Sequence, residues 1–375
     1  MSVPFVDLKA QYRSIRAEID SAIHEVVESC SFVLGPAVER FESEFAEYLG
    51  VDHVVGINSG TMALQLALLA LGVRPGDEVI VPAHTFIATA AVVSHVGARP
   101  ILVDVQEETG NMDPALLETA LSERTRAILP VHLYGQPADL NPILELAEPR
   151  GIPVVEDACQ AHGALYHGLP VGAFGIAACF SFYPGKNLGA YGEGGAVATD
   201  DPELAERLRR LRNHGETERY RHVEIGYNAR MEGMQGAVLS VKLRHLDRWN
   251  ELRQAHAAYY SERLAASGID LPTVAPDREH VFHLYVVRTE ERDSLREHLA
   301  ASGIQTGLHY PRPLHLQEAY GFLDYREGDF PVAERWGRRC LSLPLFAELT
   351  GSQLDQVIEG VKSWSLSFAL QTNRG

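Results

Sequence analysis

Between residues 53 and 183 the chain alternates short β-rich runs with apolar helical stretches, and few architectures accept that order. VVGI, EVIVP, RPILVDV, RAILPVHLYG, IPVVEDA and AACFSFY are separated by segments such as IATAAVVSHVG and LNPILELAEPR. Such alternation implies a largely parallel central sheet with helices on both faces, an α/β fold. Asp113-Pro114 and Asp201-Pro202 each place an N-cap before a Pro at the first helical position, which starts two helices. Before the sheet, residues 12 to 28 carry Ile15, Ile19, Ile23 and Val26 or Val27 on one helical face, and residues 36 to 49 carry Val38, Phe41, Phe45 and Leu49. From about 230 to 266 there is no proline, and apolar residues recur three and four apart; this reads as one or two helices. They lead from a large domain (1–245, with the N-terminal helices) into a small C-terminal α+β domain (246–375). The small domain is assembled from an HVFHLYVVR strand, an SLREHLAAS helix, an IQTGLHY strand and a QLDQVIEGVKSW helix, with QTNRG expected to fray.

Composition narrows the function. The chain has 375 residues, 46% of them apolar, enough to bury a large core shared between two lobes. Its formal charge, 33 − 50 = −17, argues against sequence-independent binding of nucleic acid and gives no attraction to an anionic membrane. The start, MSVPFVDLKAQYR, lacks the apolar core of a signal peptide, and no apolar run reaches membrane-spanning length, so a cytoplasmic enzyme is expected. Cys30, Cys159, Cys179 and Cys340 are scattered without metal-ligand spacing and are expected as buried reduced thiols. There is no H-E-x-x-H or related signature, so no metal is expected, and no G-x-S-x-G elbow supports a serine hydrolase.

Three local features point to one chemistry. In residues 176 to 199 an apolar strand runs into a loop where Lys186 stands among Pro184, Gly185, Gly189, Gly192, Gly194 and Gly195; these glycines permit unusual dihedrals and close approach to a ligand. A lone loop lysine is ordinarily just solvated. Upstream, Gly151 to Asp157 reads as a short buried strand, and Asp157 falls at its carboxyl end, where open α/β sheets place ligand-binding groups. A helix N-cap or a ribose-binding acid would suit that position too, but no G-x-G-x-x-G precedes it. Asn58-Ser59-Gly60-Thr61 fronts an apolar helix whose free N–H groups make an anion site. A phosphate cradle, a carboxylate and an amine are together what pyridoxal 5′-phosphate requires.

NSGT, EDACQAHG and SFYPGKNLGAYGEGG resemble the DegT/DnrJ/EryC1/StrS family of sugar aminotransferases, and the likeness runs from VPFVDLKAQY to LHYPRPLH near residue 315. It implies the fold-type I aminotransferase architecture. It makes Lys186 the Schiff-base lysine and proton carrier, where dehydrating relatives have histidine, and Asp157 the partner of the pyridine nitrogen. Gln160 matches a position near the cofactor's phenolic oxygen, Gly60, Thr61 and Ser181 match the phosphate site, and Phe86 matches the aromatic on the pyridine face. Asn228, in GYNAR, matches a residue that reaches the neighbouring subunit's cofactor, which implies a homodimer with shared sites. Tyr183, Arg230, His309 and Tyr310 are candidates for substrate contacts.

The resemblance implies transfer of an amino group from L-glutamate to a keto group of a nucleotide-linked deoxyhexose, through pyridoxamine phosphate, in amino-sugar biosynthesis. VHLYGQPADL and FSFYPGKNLGA are most similar to enzymes of dTDP-3-keto-6-deoxyhexoses. The alternatives are a 4-keto nucleotide-sugar or keto-cyclitol aminotransferase, a non-catalytic sugar-sensing regulator, and a nicotinamide-dependent oxidoreductase, the last disfavoured by the missing dinucleotide fingerprint.

Overall fold

The structure, a computed structural model, describes residues 2–372. The Asp7 carboxylate accepts the N–H groups of Lys9 and Ala10 and starts α1 (Leu8–Ser14). Ile15 then breaks the expected single helix, and α2 (Arg16–Ser29) follows. Ile15, Ile19 and Val26 are buried as the pattern requires, whereas Val27 is exposed. α3 (Pro36–Leu49) has the predicted bounds, with Pro36 at its first position. The alternating stretch gives β1 (His53–Ile57), α4 (Gly60–Ala70), β2 (Glu78–Pro82), α5 (Ala88–His95), β3 (Arg99–Val103), α6 (Leu117–Ala120), β4 (Thr125–Ile128), α7 (Leu140–Ala147) and β5 (Val155–Asp157). A small hairpin, β6 (Leu165–Tyr166) and β7 (Leu169–Pro170), precedes β8 (Ala177–Ser181) and β9 (Gly195–Thr199). After α8 (Pro202–Arg212) come a second hairpin, β10 (Glu216–Glu218) and β11 (Arg221–His222), and two helices, α9 (Gly233–Leu243) and α10 (Leu246–Leu264).

One sheet organises this part. β2 runs parallel to β3 and β4, and β5 runs parallel to β8. Parallel bridges Ile128↔Val154 and Val131↔Asp157 join the two ladders, so the strand order is β3-β2-β4-β5-β8-β9-β1. β9, antiparallel to both neighbours, is the exception that makes the sheet mostly parallel. Side chains alternate between faces: Ala177 and Cys179 of β8 join the core under α4, α5 and α8, while Ala178 and Phe180 join the core under α3 and α9.

The chain ends in β12 (Arg278–Glu279), β13 (Tyr285–Arg288), α11 (Arg292–Ala301), α12 (Pro331–Arg339), β14 (Cys340–Leu343) and α13 (Gly351–Thr372). Tyr260, Tyr285, Leu299, Leu341 and Val361 form a separate core here, which also takes in Val3. Three expectations need correction. HVFHLYVVR is a strand only from Tyr285, because the carbonyls of Phe282 and His283 are turned to the buried Arg253 guanidinium instead of a ladder. IQTGLHY is not a strand; only Ile304 and Gly307 make bridges, and the segment bends to carry His309 and Tyr310 inward. Of the cysteines, Cys30 is exposed at the end of α2 and Cys159 is half-buried; all four are free. In the QTNRG end, Gln371 and Thr372 are helical, and the rest lies outside the described residues. Among the described residues no helix is long and apolar enough to cross a membrane.

Candidate active site

Four connections at the carboxyl ends of parallel strands meet: β1 to α4, β2 to α5, the turn after β5, and the loop after β8. They surround a cavity of about 570 Å³ lined by Gly60, Thr61, Phe86, Asp157, Gln160, Ser181, Tyr183, Lys186, His309 and Tyr310. The sequence-predicted residues are therefore assembled, with two exceptions. Asn228 and Arg230 do not line this cavity; they are paired with each other at the surface, Arg230 Nη2 donating to Asn228 Oδ1 at 2.8 Å.

The anion site is built by α4. Ser59 Oγ accepts the Met62 N–H at 3.1 Å and the Ser59 carbonyl accepts that of Ala63. The N–H groups of Gly60 and Thr61 are left without an intrahelical partner at the positive end of an 11-residue helix. A Cβ on Gly60 would lie 2.5 Å from Ser181 Cβ and 2.9 Å from Cys159 Sγ, so only glycine lets the helix start this close to β8. Two glycines of the lysine loop act in the same way. None of Gly185, Gly189, Gly192, Gly194 or Gly195 has a positive φ; Gly189 and Gly195 serve close backbone approach, where an added Cβ would lie 2.4 Å from the Pro184 carbonyl oxygen and 2.3 Å from the Ser59 carbonyl carbon, whereas one on Gly185 would meet nothing nearer than 3.8 Å.

Asp157 is buried at the end of β5, its Oδ2 accepting the Thr89 hydroxyl at 2.8 Å and its Oδ1 the Cys159 N–H at 3.3 Å. The preceding Glu156 points to the other face, where it accepts His132 Nε2–H at 3.0 Å and the N–H groups of Gly172, Phe174 and Gly175. His132 Nδ1 accepts the Ala138 N–H, which fixes the proton on Nε2. Gln160 is held at both ends: Oε1 accepts the Tyr134 N–H at 2.8 Å and Nε2 donates to Tyr310 Oη at 3.2 Å. Phe86, nearly half exposed to the cavity, has its ring 5.5 Å from that of Tyr310.

Lys186 stands in apolar surroundings whose desolvation lowers its pKa below the ordinary lysine value, against the opposing influence of Cys159 and Asp157. Three imidazoles share its neighbourhood, His162 buried and His283 and His309 half-buried. Burial, with Lys186 adding to it, pushes His309 down to about 4 and His162 to about 3, and His283 goes well below the usual value. All three are neutral at pH 7, so no cationic histidine competes with the lysine for Asp157. His283, Thr89, Arg253, Glu193 and Phe5 also line or brace the cavity and were not singled out from the sequence. Thr89 lies three residues past Phe86, but nothing local marks its contact with Asp157, and Phe5, stacked on His309, reaches the cavity from the far end of the chain.

Residues 13–362 match the DegT/DnrJ/EryC1/StrS aminotransferase family. The chain belongs to that family. It is thereby a transaminase, on a fold shared with aminotransferases of known structure. The DegT/DnrJ/EryC1/StrS family is pyridoxal phosphate-dependent. A dTDP-3-amino-3,4,6-trideoxy-α-D-glucose transaminase of Streptomyces venezuelae is 54% identical over 97% of this chain and 96% of its own. The erythromycin biosynthesis sensory transduction protein EryC1 of Saccharopolyspora erythraea is 51% identical over 97% and 100%. S. venezuelae DesV, solved in complex with a ketimine intermediate, superposes with a TM-score of 0.95 at 54% identity, covering 97% of this chain and 98% of that one. NtdA from Bacillus subtilis, with bound cofactor PMP, has a TM-score of 0.90 at 34% identity, covering 97% and 85%.

Proposed function

We propose that the chain is a pyridoxal phosphate-dependent aminotransferase that passes the amino group of L-glutamate to the 3-keto group of a dTDP-linked 6-deoxyhexose. The observation that carries the cofactor assignment is the donor set of the cavity. Two unpaired N–H groups at a helix N-terminus, with the hydroxyls of Thr61 and, from the end of β8, Ser181, suit a phosphate dianion, a buried carboxylate suits a pyridinium, and a partly desolvated lysine suits a carbonyl. Bound there, pyridoxal phosphate supplies an electron sink for the carbon that loses or gains a proton. Gly60, Thr61 and Ser181 bind its phosphate, and Asp157, steadied by Thr89, keeps the ring nitrogen protonated. Gln160, fixed by Tyr134, would offer its amide to the cofactor from the turn after β5. Lys186 Nζ would hold the cofactor's carbonyl carbon and, as a free amine, would move the proton between that carbon and the amine-bearing carbon of the substrate. Burial makes the imidazoles of His283 and His309 weak bases, so Lys186 is the stronger base among them for that transfer.

The choice of a dTDP-3-keto substrate is supported by the name of the S. venezuelae relative and the extent of its similarity. This reading keeps the division into a large domain (1–245) and a small one (246–375), and a homodimer in which Asn228 serves the partner's cofactor. The name of the EryC1 relative favours a second reading, a sensory protein that binds the cofactor without turnover.

One titration separates these. With pyridoxal phosphate bound, the protein should show a visible absorption band that L-glutamate bleaches and a dTDP-3-keto-6-deoxyhexose restores. Lys186→Ala should keep the fold and lose roughly 10²- to 10⁴-fold or more in turnover. A band that glutamate bleaches but this sugar does not restore would redirect the substrate to 4-keto sugars or cyclitols. A stable band that glutamate leaves unchanged would support the sensory reading, and no band at all would overturn the cofactor assignment.

A further inference from the structure

Lys242, near the end of α9, is fully buried, and its ammonium donates to the Gly189 carbonyl at 2.6 Å while lying 4.4 Å from the centroid of the Tyr191 ring. Both partners belong to the loop that carries Lys186. Two turns earlier on the same face of α9, Gln235 Oε1 accepts the Tyr191 N–H at 2.9 Å, and Gln235 Nε2 donates to Glu232 Oε2, which sets the amide's orientation. The Gln235 amide also lies against Gly192, where an added Cβ would come within 3.0 Å of Nε2. A third contact comes from α10: Asn187 Nδ2 donates to Asn250 Oδ1 and to the Val281 carbonyl, 2.9 Å each. Residues one, three and five places after Lys186 are thus each held by a polar contact from outside the loop.

Packing does not ask for a lysine at 242. A methionine fills nearly the same volume without the cost of desolvating an ammonium. That cost is visible in the side chain's own acidity, since burial draws it down to about 7 against the pull of Glu348. What the lysine adds over methionine is the contact with Gly189, the ring of Tyr191 and a positive charge near Glu348.

We propose that Lys242, together with Gln235, is a positioning residue for Lys186: α9 grips the loop at Gly189 and Tyr191 and so sets where the catalytic amine stands. Neither side chain lines the cavity, so they act through the loop and not on substrate. The inference rests on the reading of Lys186 as the catalytic amine.

The test is Lys242→Met in the full-length, cofactor-loaded enzyme, read by melting temperature, by kcat and KM for L-glutamate, and by the pH titration of the bound cofactor's visible band. A merely structural lysine predicts a changed melting temperature with kcat and band unchanged. The positioning role predicts an equal or higher melting temperature, a KM within about threefold, a kcat lowered about tenfold or more, as small displacements of catalytic groups produce, and a band whose pH midpoint has moved. Gln235→Leu should lower kcat in the same way, and the double variant should lose less than the product of the two, because both contacts hold one loop. A folded Lys242→Met enzyme with unchanged kcat and an unmoved band overturns the inference. Should that variant fail to fold, Gln235→Leu decides: a lowered kcat supports the role and an unchanged one overturns it. A wild-type protein that neither binds pyridoxal phosphate nor turns over would overturn the Lys186 reading itself, and this inference with it.

Discussion

Desolvation lowers the Lys186 pKa, so at neutral pH a larger share of its side chain is free amine than for a lysine in water, and a free amine is what condensation with a carbonyl needs. The same shift has a thermodynamic consequence. Between the lowered folded value and about 10.4, the ordinary lysine value, the unfolded chain binds the extra proton, so stability contributed by this group rises with pH across that window. Below it the folded state carries the full cost of a desolvated ammonium; above it the cost is gone. Cofactor-free Lys186→Met should therefore melt higher than cofactor-free wild type at pH 7, and the gap should close as the pH approaches 10. Melting curves of both proteins at the two pH values check this. A gap that is absent at pH 7, or that widens with pH, would contradict the electrostatic account of the site.

At the scale of elements, the site depends on how closely α4 approaches β8. Gly60→Ala puts a methyl group where Ser181 Cβ and Cys159 Sγ already stand, so the helix start must retreat from the sheet. Overpacking of this kind costs about 1–3 kcal/mol, and the retreat also carries the Gly60 and Thr61 N–H groups away from the phosphate. Denaturant unfolding should show that loss in the cofactor-free protein, and equilibrium dialysis should show weaker pyridoxal phosphate binding; unchanged binding would remove α4 from the cradle. The elements read correctly from the sequence were those whose signal is local. The capped turn at Ser59, the apolar strand ending at Asp157 and the Pro-Gly loop around Lys186 each carry their own marks. β9 was missed because GAVAT is small-residued and follows a glycine run, and its antiparallel place between β8 and β1 is set by the sheet. β14 was missed because CLSL becomes a strand only beside β13. His283, Thr89 and Phe5 were invisible for the same reason, since their approach to the cavity depends on contacts between distant segments.

For the whole molecule, the open question of assembly turns on Asn228. It is exposed, outside the cavity of its own chain, yet it is anchored beside the phosphate cradle: the Asn58 N–H donates to the Ala229 carbonyl, and Ile57 bridges Arg230 along the free edge of β1. Arg230 occupies its Oδ1, which turns the donor end of the amide away from the arginine. A donor held firmly at an exposed edge is what a site shared between two copies requires, and a C₂ dimer would present it twice. Asn228→Ala would then remove one hydrogen bond to a charged phosphate, worth about 1.5–3 kcal/mol, and weaken cofactor retention about tenfold to a hundredfold. The decisive form of the experiment mixes this variant with Lys186→Ala under limiting cofactor. If each site takes Lys186 from one chain and Asn228 from the other, a hybrid dimer has one intact site and one carrying both lesions. With random pairing half the dimers are hybrids, and activity should recover to about a quarter of wild type. If each chain builds its own site, mixing only averages two defective enzymes. Activity that stays at that average, with subunit exchange confirmed by mass-tagged chains, would place Asn228 outside the catalytic unit and leave each subunit to work alone.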